Sequence, residues 1–281
     1  MSMKKIKKAL RLPALNLVFI LLCFVTLLPI LYALSVSLNA SNSLLTTELR
    51  LFPREMTLQN YQTVLFDKPF LTWIKNSALL SACTVALTLA VAVPAAYAFS
   101  RFRFGGRRAA MNILLLLNAF PAILSMFAIY RMMKLMNLLN SYLGLVLIYT
   151  GTMAIFALWN MKGYFDSIPK DIEEAARIDG VSDFQLVTRI VLPLARPSII
   201  VTAVLVLIYV WNEYIFTTIF LSGADKYTLA VGLYSLQATE YTRNWPLFSA
   251  ASILTSIPVL IIFFLIQKHM VSGLAAGGVK G

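Results

Sequence analysis

The sequence predicts an all-α, polytopic membrane protein with six transmembrane helices and one long inner loop between the fourth and fifth. Three observations predict it. Of 281 residues, 59% are apolar and only 13% are charged, against about 45–50% and about 25% in soluble domains. The mean hydropathy is +0.79. The charges also cluster, leaving six nearly charge-free intervals, each long enough to cross a hydrocarbon core of ~30 Å as a helix. Too little charge remains to cover a water-soluble globule, which excludes an ordinary cytosolic enzyme, a disordered chain and a secreted disulfide scaffold. Cys23 and Cys83 lie in apolar runs and read as small buried hydrophobes. The lone histidine, His269, has no neighbours with which to build a metal site.

Each span follows from the cost of placing charge in hydrocarbon. A basic start, residues 1–11, carries Lys4, Lys5, Lys7, Lys8 and Arg11. The first apolar run, Pro13–Leu38, exceeds the ~7–15 residues of a signal-peptide core and reads as a retained span. An external loop at about 39–75 follows. The second interval runs from Lys75 to Arg101, the third from Arg108 to Arg131 and the fourth from Lys134 to Lys162. The fifth, Arg196 to Asp225, is interrupted by Glu213 alone; the sixth lies between Arg243 and Lys268. The six-span domain therefore covers 12–270, with an inner loop at about 162–196, a second external loop at about 222–244 and a tail at 271–281. Lipid offers no partner to an unpaired backbone group, and the runs lack barrel-type alternation, so the spans are helices.

Pro29, Pro94, Pro121 and Pro258 fall inside spans, where each removes a helix hydrogen bond and favours a kink, for shape or as a hinge. Trp73 and Trp245 lie near outer boundaries and Trp159 near an inner one, as interfacial anchors do. With both termini inside, the inner segments hold sixteen of the twenty-four Lys and Arg residues and the outer segments eight. That bias supports the orientation. The net charge of +12 then reflects topology and attraction to anionic lipid headgroups rather than a nucleic-acid footprint.

The 162–196 loop, thirty-five residues, is far longer than a connector needs. Ser167 and Pro169 open a helix whose first turns carry Asp171, Glu173 and Glu174, where carboxylates complement the dipole. Gly180 stops it. Ser182 and Gln185 form a capping-box pattern starting a second short helix, which Pro193 closes before Pro197 enters span five. Ile172, Ala175 and Ala176 sit at i, i+3 and i+4, a small apolar face suited to a close-docking protein. Six acids against two bases between Asp166 and Asp183 give a net −4 that repels nucleic-acid phosphate, despite a spacing that imitates a helix-turn-helix unit.

Glu174-Ala175-Ala176, then Gly180, then Ile190, Leu192 and Pro193 place seven fixed residues over twenty positions. This pattern resembles the EAA loop of bacterial ABC importer permeases, and the likeness extends over the whole chain. Trp211-Asn212-Glu213-Tyr214 and the ending 271–281 resemble the carbohydrate-uptake branch, in particular its MalG-type (maltose/maltodextrin) subunits. The resemblance implies a type I importer permease whose loop is a coupling helix seated in a cleft of an ATPase subunit. It gives Glu174 the polar contact, Ala175 and Ala176 the close-packed face and Gly180 the turn, and it lays the tail against the ATPase dimer. It also implies a second, homologous permease subunit, a homodimer of ATPase subunits, an extracytoplasmic solute-binding protein, and a bacterial inner-membrane location with both termini cytoplasmic. ATP and Mg belong to the partner.

The chain itself has no ATP-binding sequence. Gly273-x4-Gly278 begins like a phosphate loop, but Val279 stands where lysine is required. No HExxH or GxSxG pattern is present, and His269, at an inner boundary, lacks a triad partner. The expectation is a transport subunit for an oligosaccharide, malto-oligosaccharide first; galacto-oligosaccharides, glycerol phosphate and oligouronates fit the same branch. The alternatives are an intramembrane enzyme or an ATP-independent secondary carrier. Glu213, the one acid within a span, lies ~24 Å along the helix from Pro197 at ~1.5 Å per residue. With Trp211, Asn212 and Tyr214 it could line a sugar path or pack against a sister subunit. Asn118 in span three is a further lining candidate. The second external loop, with Gly223, Asp225, Lys226, Tyr241 and Trp245, is suited to meeting a binding protein or is an ordinary solvated loop.

Overall fold

A computed structural model describes residues 3–40, 55–237 and 244–278. In chain order its helices are α1 (Met3–Ser37), α2 (Gln59–Gln62) with a π turn at Thr63–Asp67, α3 (Phe70–Arg101), α4 (Arg107–Ala119) and α5 (Met126–Leu135). They continue with α6 (Tyr142–Ser167), α7 (Lys170–Ile178), α8 (Asp183–Gln185), α9 (Leu192–Asn212), α10 (Ile215–Phe220), α11 (Leu229–Ser235) and α12 (Trp245–Gly278). The chain divides into two compact units, Met1–Phe70 with Leu233–Ile257, and Leu71–Gly232 with Pro258–Gly281.

In the first unit, α1 is apolar all round, and none of its most apolar stretch is buried within the chain, as a helix solvated by lipid or by another subunit would be. Its end is tied down. Ser37 Oγ and the Tyr61 hydroxyl lie 2.6 Å apart, and the Asn60 amide donates to the carbonyls of Ser37 and Asn39, each at 2.9 Å. A single antiparallel bridge joins Asn39 to Met56. The expected first external loop is thus pinned at its edges. Residues 41–54, with Arg50 and Arg54, lie outside the described residues, as do 238–243, with Tyr241 and Arg243, and 279–281 of the tail.

In the second unit α6 and α9 pack together. Small residues let them and α3 approach closely: Ala92, Ala96, Ala157 and Ala195 are all almost fully buried in one core with Met161, Phe165, Leu186 and Val191. A second core gathers Leu80, Leu145, Tyr149, Val210, Phe216 and Phe220. The Asn160 amide donates to Thr202 Oγ1 at 2.7 Å, crossing from α6 to α9.

Among the described residues five helices are long and apolar enough to span a membrane, and the third expected span is a broken pair, bent by 85°. The break sits at Phe120, whose backbone is extended (ψ 127°), before Pro121. Proline drives its predecessor out of helical geometry and cannot donate to the preceding turn. Pro29, Pro94 and Pro258 remain inside continuous helices, so of the four expected kinks Pro121 alone becomes an interruption.

Two further expectations are corrected. Trp73 is not an interfacial anchor but a buried side chain packed on Gly232, where a Cβ would overlap its indole. Cys23 and Cys83 are exposed rather than buried, because both lie on faces that this chain leaves uncovered. Trp159 is half exposed.

Candidate functional site

The 162–196 segment builds a helix, a turn and a second helix, with two differences from expectation. α7 starts after Pro169, which fixes φ at −57° but supplies no side-chain cap. Ser167 does not cap it, because its hydroxyl donates back to the Tyr164 carbonyl at 2.7 Å. Asp171 and Glu173 occupy the first turn and favour the dipole. At the other end Gly180 adopts φ +80°. Its N–H donates to the Arg177 carbonyl, and the Val181 N–H reaches back to Ala176, both at 3.1 Å. This is a Schellman stop, which needs a left-handed residue that glycine supplies without a Cβ penalty.

The capping box then forms as expected: Ser182 Oγ accepts from the Gln185 N–H at 3.4 Å, and Gln185 Oε1 accepts from the Ser182 N–H at 3.3 Å. The second helix is not closed by Pro193. From Asp183 it runs through a π turn at Leu186–Val191 into α9 without interruption, as one 30-residue helix. Pro193 lies in the first turn of α9, and the wider π turn just before it leaves room for the ring and for the missing donor. The second arm of the loop is therefore a rigid extension of span five.

α7 has two faces of opposite character. Glu173 and Ala176 point inward and are buried. Glu173 Oε1 accepts from Arg101 Nε at 2.6 Å, with both side chains less than a tenth exposed, and Oε2 accepts from the Tyr97 hydroxyl at 3.0 Å. Arg101 also donates to the Ile168 carbonyl (3.0 Å) and to Ser100 Oγ (3.2 Å). Ser100 donates to Asp166 at 2.6 Å, and Lys162 pairs with the other oxygen of that carboxylate, also at 2.6 Å. The chain Lys162–Asp166–Ser100–Arg101–Glu173–Tyr97 thus locks α7 to the ends of α3 and α6. The outward face presents Asp171, Glu174, Ala175 and Ile178, the last 87% exposed, with Ile172 on its flank and Phe184 on the next helix 78% exposed.

The expected apolar face is accordingly corrected. Ala175 lies on the exposed side, but Ala176 packs into the core beside Leu186 and Val191 and cannot meet a partner. Ile190 packs against the same core, Leu192 is partly buried and Pro193 is exposed. Glu173, Arg101, Tyr97 and Ser100 carry the anchor and were not picked out as site residues from the sequence. The available signal was a charge, Arg101, at the end of a span, beside a second acid adjoining Glu174.

The second expected constellation separates in the structure. Helix α9 ends at Asn212, and Glu213 is extended (ψ 123°), so this acid lies at a break and not inside a continuous span. Its carboxylate accepts from the N–H groups of Phe216 (2.8 Å) and Thr217 (3.1 Å), from Thr217 Oγ1 (3.2 Å) and from the buried Tyr149 hydroxyl (2.5 Å). It caps α10 and ties it to α6. Trp211 is buried, Tyr214 is half-buried, and Asn212 is exposed with its amide returned to the Ile208 carbonyl at 2.8 Å.

Asn118 instead lines a cavity of about 530 Å³ between the halves of the broken span and α6, with Phe120, Ser125, Met132, Gly151 and Thr152. None of Trp211, Asn212, Glu213 and Tyr214 reaches it.

In the expected second external loop, residues 225–227 are pinned. The Asn76 amide donates to the carbonyls of Asp225 and Tyr227, both at 2.9 Å, and Lys226 Nζ donates to the Asn140 carbonyl at 2.7 Å. Asn140 holds φ +55°, a conformation that asparagine tolerates better than most residues.

Residues 88–275 match the family model described as the binding-protein-dependent transport system inner membrane component. Over 280 residues the chain is 34% identical to the galactooligosaccharides transport system permease protein GanQ of Bacillus subtilis, covering 99% of this chain and 98% of that protein. Over 221 residues it is 37% identical to the maltose/maltodextrin transport system permease protein MalG of Vibrio vulnificus, covering 76% and 73%. A chain in the crystal structure of a bacterial ABC transporter that imports the acidic polysaccharide alginate superposes with a TM-score of 0.76 at 28% identity, covering 95% of this chain and 98% of that one. With its apolar spans and its EAA loop held on a buried ion pair, the chain belongs to the binding-protein-dependent transport system inner membrane components, as a sugar ABC importer permease subunit.

Proposed function

We propose that α7 is the coupling element through which a separate ATPase subunit drives alternating access in this permease. The carrying observation is the division of α7. Glu173 and Ala176 fasten it to the membrane helices, while Glu174, Ala175 and Ile178 face outward and are exposed. A push on that face reaches α3 and α6 through Arg101 and Asp166, and reaches α9 through the continuous 183–212 helix. Glu174 and Asp171 supply negative charge for a basic rim on the partner, and Ala175 allows close approach. ATP and Mg bind the partner, whose homodimer also receives the 271–281 tail. A second, homologous permease completes the pathway, an external binding protein delivers solute, and both termini are cytoplasmic.

The cargo is an oligosaccharide. Relatives are named for galactooligosaccharides and for maltose/maltodextrin, which makes malto- and galacto-oligosaccharides the first pair to compare. The path passes the cavity at Asn118 rather than the Trp211–Tyr214 run. Non-helical backbone at membrane depth is tolerated where it lines a cavity, and the break at Phe120–Pro121 borders one to which Asn118, Ser125 and Thr152 bring polar groups. Family membership favours neither an intramembrane enzyme nor an ATP-independent carrier.

The decisive experiment is purification in mild detergent followed by reconstitution. An ATPase and a second permease should co-purify, and uptake should require ATP, binding protein and an intact Asn118 cavity, with Asn118→Trp abolishing uptake but not assembly. Solute movement by this chain alone would overturn the assignment.

A further inference from the structure

We infer that the turn between α3 and α4, residues 102–108, is a headgroup site for an anionic phospholipid. Three features converge there. Arg103 and Arg108 are exposed and, among the described residues, make no ion pair. This sets them apart from Arg101, held by Glu173, and Lys162, held by Asp166. Arg107 donates to the Phe102 carbonyl at 3.1 Å, which closes the turn. Asp166, on which Arg107 acts at longer range, is already bonded to Lys162 and Ser100. The positive charge of the turn is therefore left over after the local acids are satisfied.

Apolar anchors stand beside that charge. Phe102 and Phe104 are each about half exposed, yet both rings are held edge-on, Phe102 against Tyr97 (centroids 6.0 Å) and Phe104 against Phe99 (5.4 Å). The turn joins two membrane helices, so these rings sit where the acyl chains meet the headgroups. Gly106, at φ +79°, precedes α4 without capping it by a side chain. The Arg107 N–H returns to the Phe104 carbonyl at 3.4 Å, so the turn is closed on its own backbone and the guanidinium groups of Arg103 and Arg108 are its free donors among the described residues. Guanidinium forks match phosphate oxygens, and aromatic rings suit the interfacial depth. An acidic soluble protein would satisfy the arginines but would leave two ordered phenylalanines at lipid depth without a role. The occupant that uses both is a phospholipid with a net negative headgroup.

The test is native mass spectrometry of the complete permease complex titrated with phosphatidylglycerol or phosphatidylcholine in mixed micelles. The wild-type complex should bind phosphatidylglycerol on the order of tenfold more tightly, with each arginine near an anionic surface contributing severalfold. R103Q/R108Q should lose that preference at unchanged thermal stability, and R103K/R108K should keep part of it. Arg101 and Arg107 remain in both variants, so insertion topology is retained. Inorganic phosphate at millimolar concentration should not displace the lipid, because it lacks the chains that Phe102 and Phe104 engage. Equal binding of the two lipids by the wild type, or an undiminished preference in R103Q/R108Q, would overturn the inference. So would a variant that keeps its lipid preference but sheds a protein subunit.

Discussion

Cutting the Arg101–Glu173 pair tests whether α7 transmits force or merely rests against the bundle. The pair is short (2.6 Å) and nearly buried, and each member has further bonds that orient it, Tyr97 on Glu173 and the Ile168 carbonyl on Arg101. Replacing Glu173 with alanine leaves a guanidinium in a pocket built for its counter-charge. Orphaning one partner of such a pair costs about 3–5 kcal/mol. If that free energy holds α7 in place, its detached state rises by more than about a hundredfold, at ~1.4 kcal/mol per factor of ten. Hydrogen exchange of the α7 amides, residues 170–178, reads that population directly. Glu173→Ala should speed their exchange by about that factor, leave the middle of α6 protected, and uncouple ATP hydrolysis from uptake in reconstituted vesicles. The double variant R101M/E173M should recover most of the protection, because an apolar pair of similar volume carries no stranded charge. Unchanged exchange in Glu173→Ala would refute the anchor, and so would a double variant no better protected than the single one.

Three other variants probe separate joints. Gly180→Ala should cost about 1–2 kcal/mol, because the position holds φ +80°. Gly180→Trp should unfold the isolated chain no more readily, because a Cβ there meets nothing within 4 Å; loss of uptake by the tryptophan variant alone, with assembly intact, would locate a partner against the turn. Glu213→Ala should lower the unfolding midpoint in detergent, since hydrogen bonds to a charged group contribute about 1.5–3 kcal/mol. Glu213→Gln should retain part of that, and an unshifted midpoint would return Glu213 to the path. Gly232→Ala should destabilise by about 1–3 kcal/mol through overlap with the Trp73 indole; combining it with Trp73→Leu should relieve the strain, and an unrelieved loss would point to the backbone instead.

Much of the fold was legible because lipid makes the rules strict. A charge-free interval long enough to span has few other uses, and all six intervals contain long apolar helix, five continuous and one broken. The capping box at Ser182 was legible for a local reason, since Ser182 and Gln185 satisfy each other's backbone within four residues. Pro193 misled because its position reads as a stop, whereas a π turn just upstream absorbs the defect and lets the helix continue. No local pattern announces that turn. The break after Asn212 was likewise hidden. Glu213 sits in an apolar run that continues past it, and its fate depends on Tyr149, sixty-four residues away. The buried Trp73 was misread because hydropathy finds a boundary but does not say which side of a helix faces protein.

Helix α7 shows where such reading stops. Glu173 and Glu174 are the same residue type at adjacent positions, and the seven-residue pattern singles out the second. A turn of ~100° per residue sends neighbours to different faces, so one carboxylate is buried against Arg101 while the other is left exposed. Sequence spacing fixes the angle between them but not which one turns inward. That choice is made by Arg101 and Tyr97, seventy-odd residues earlier, meeting the helix at the end of α3. The same logic turns Ala176 inward and leaves Ala175 outside. The outward half of α7 can be recognised by likeness to other importers, but it can transmit force only if the inward half is fastened. On this argument exchanging the two roles, with Glu173→Gln and Glu174→Gln measured side by side, should separate them. Glu173→Gln should loosen α7 in the free permease. Glu174→Gln should leave its exchange unaltered and weaken only the engagement of the ATPase.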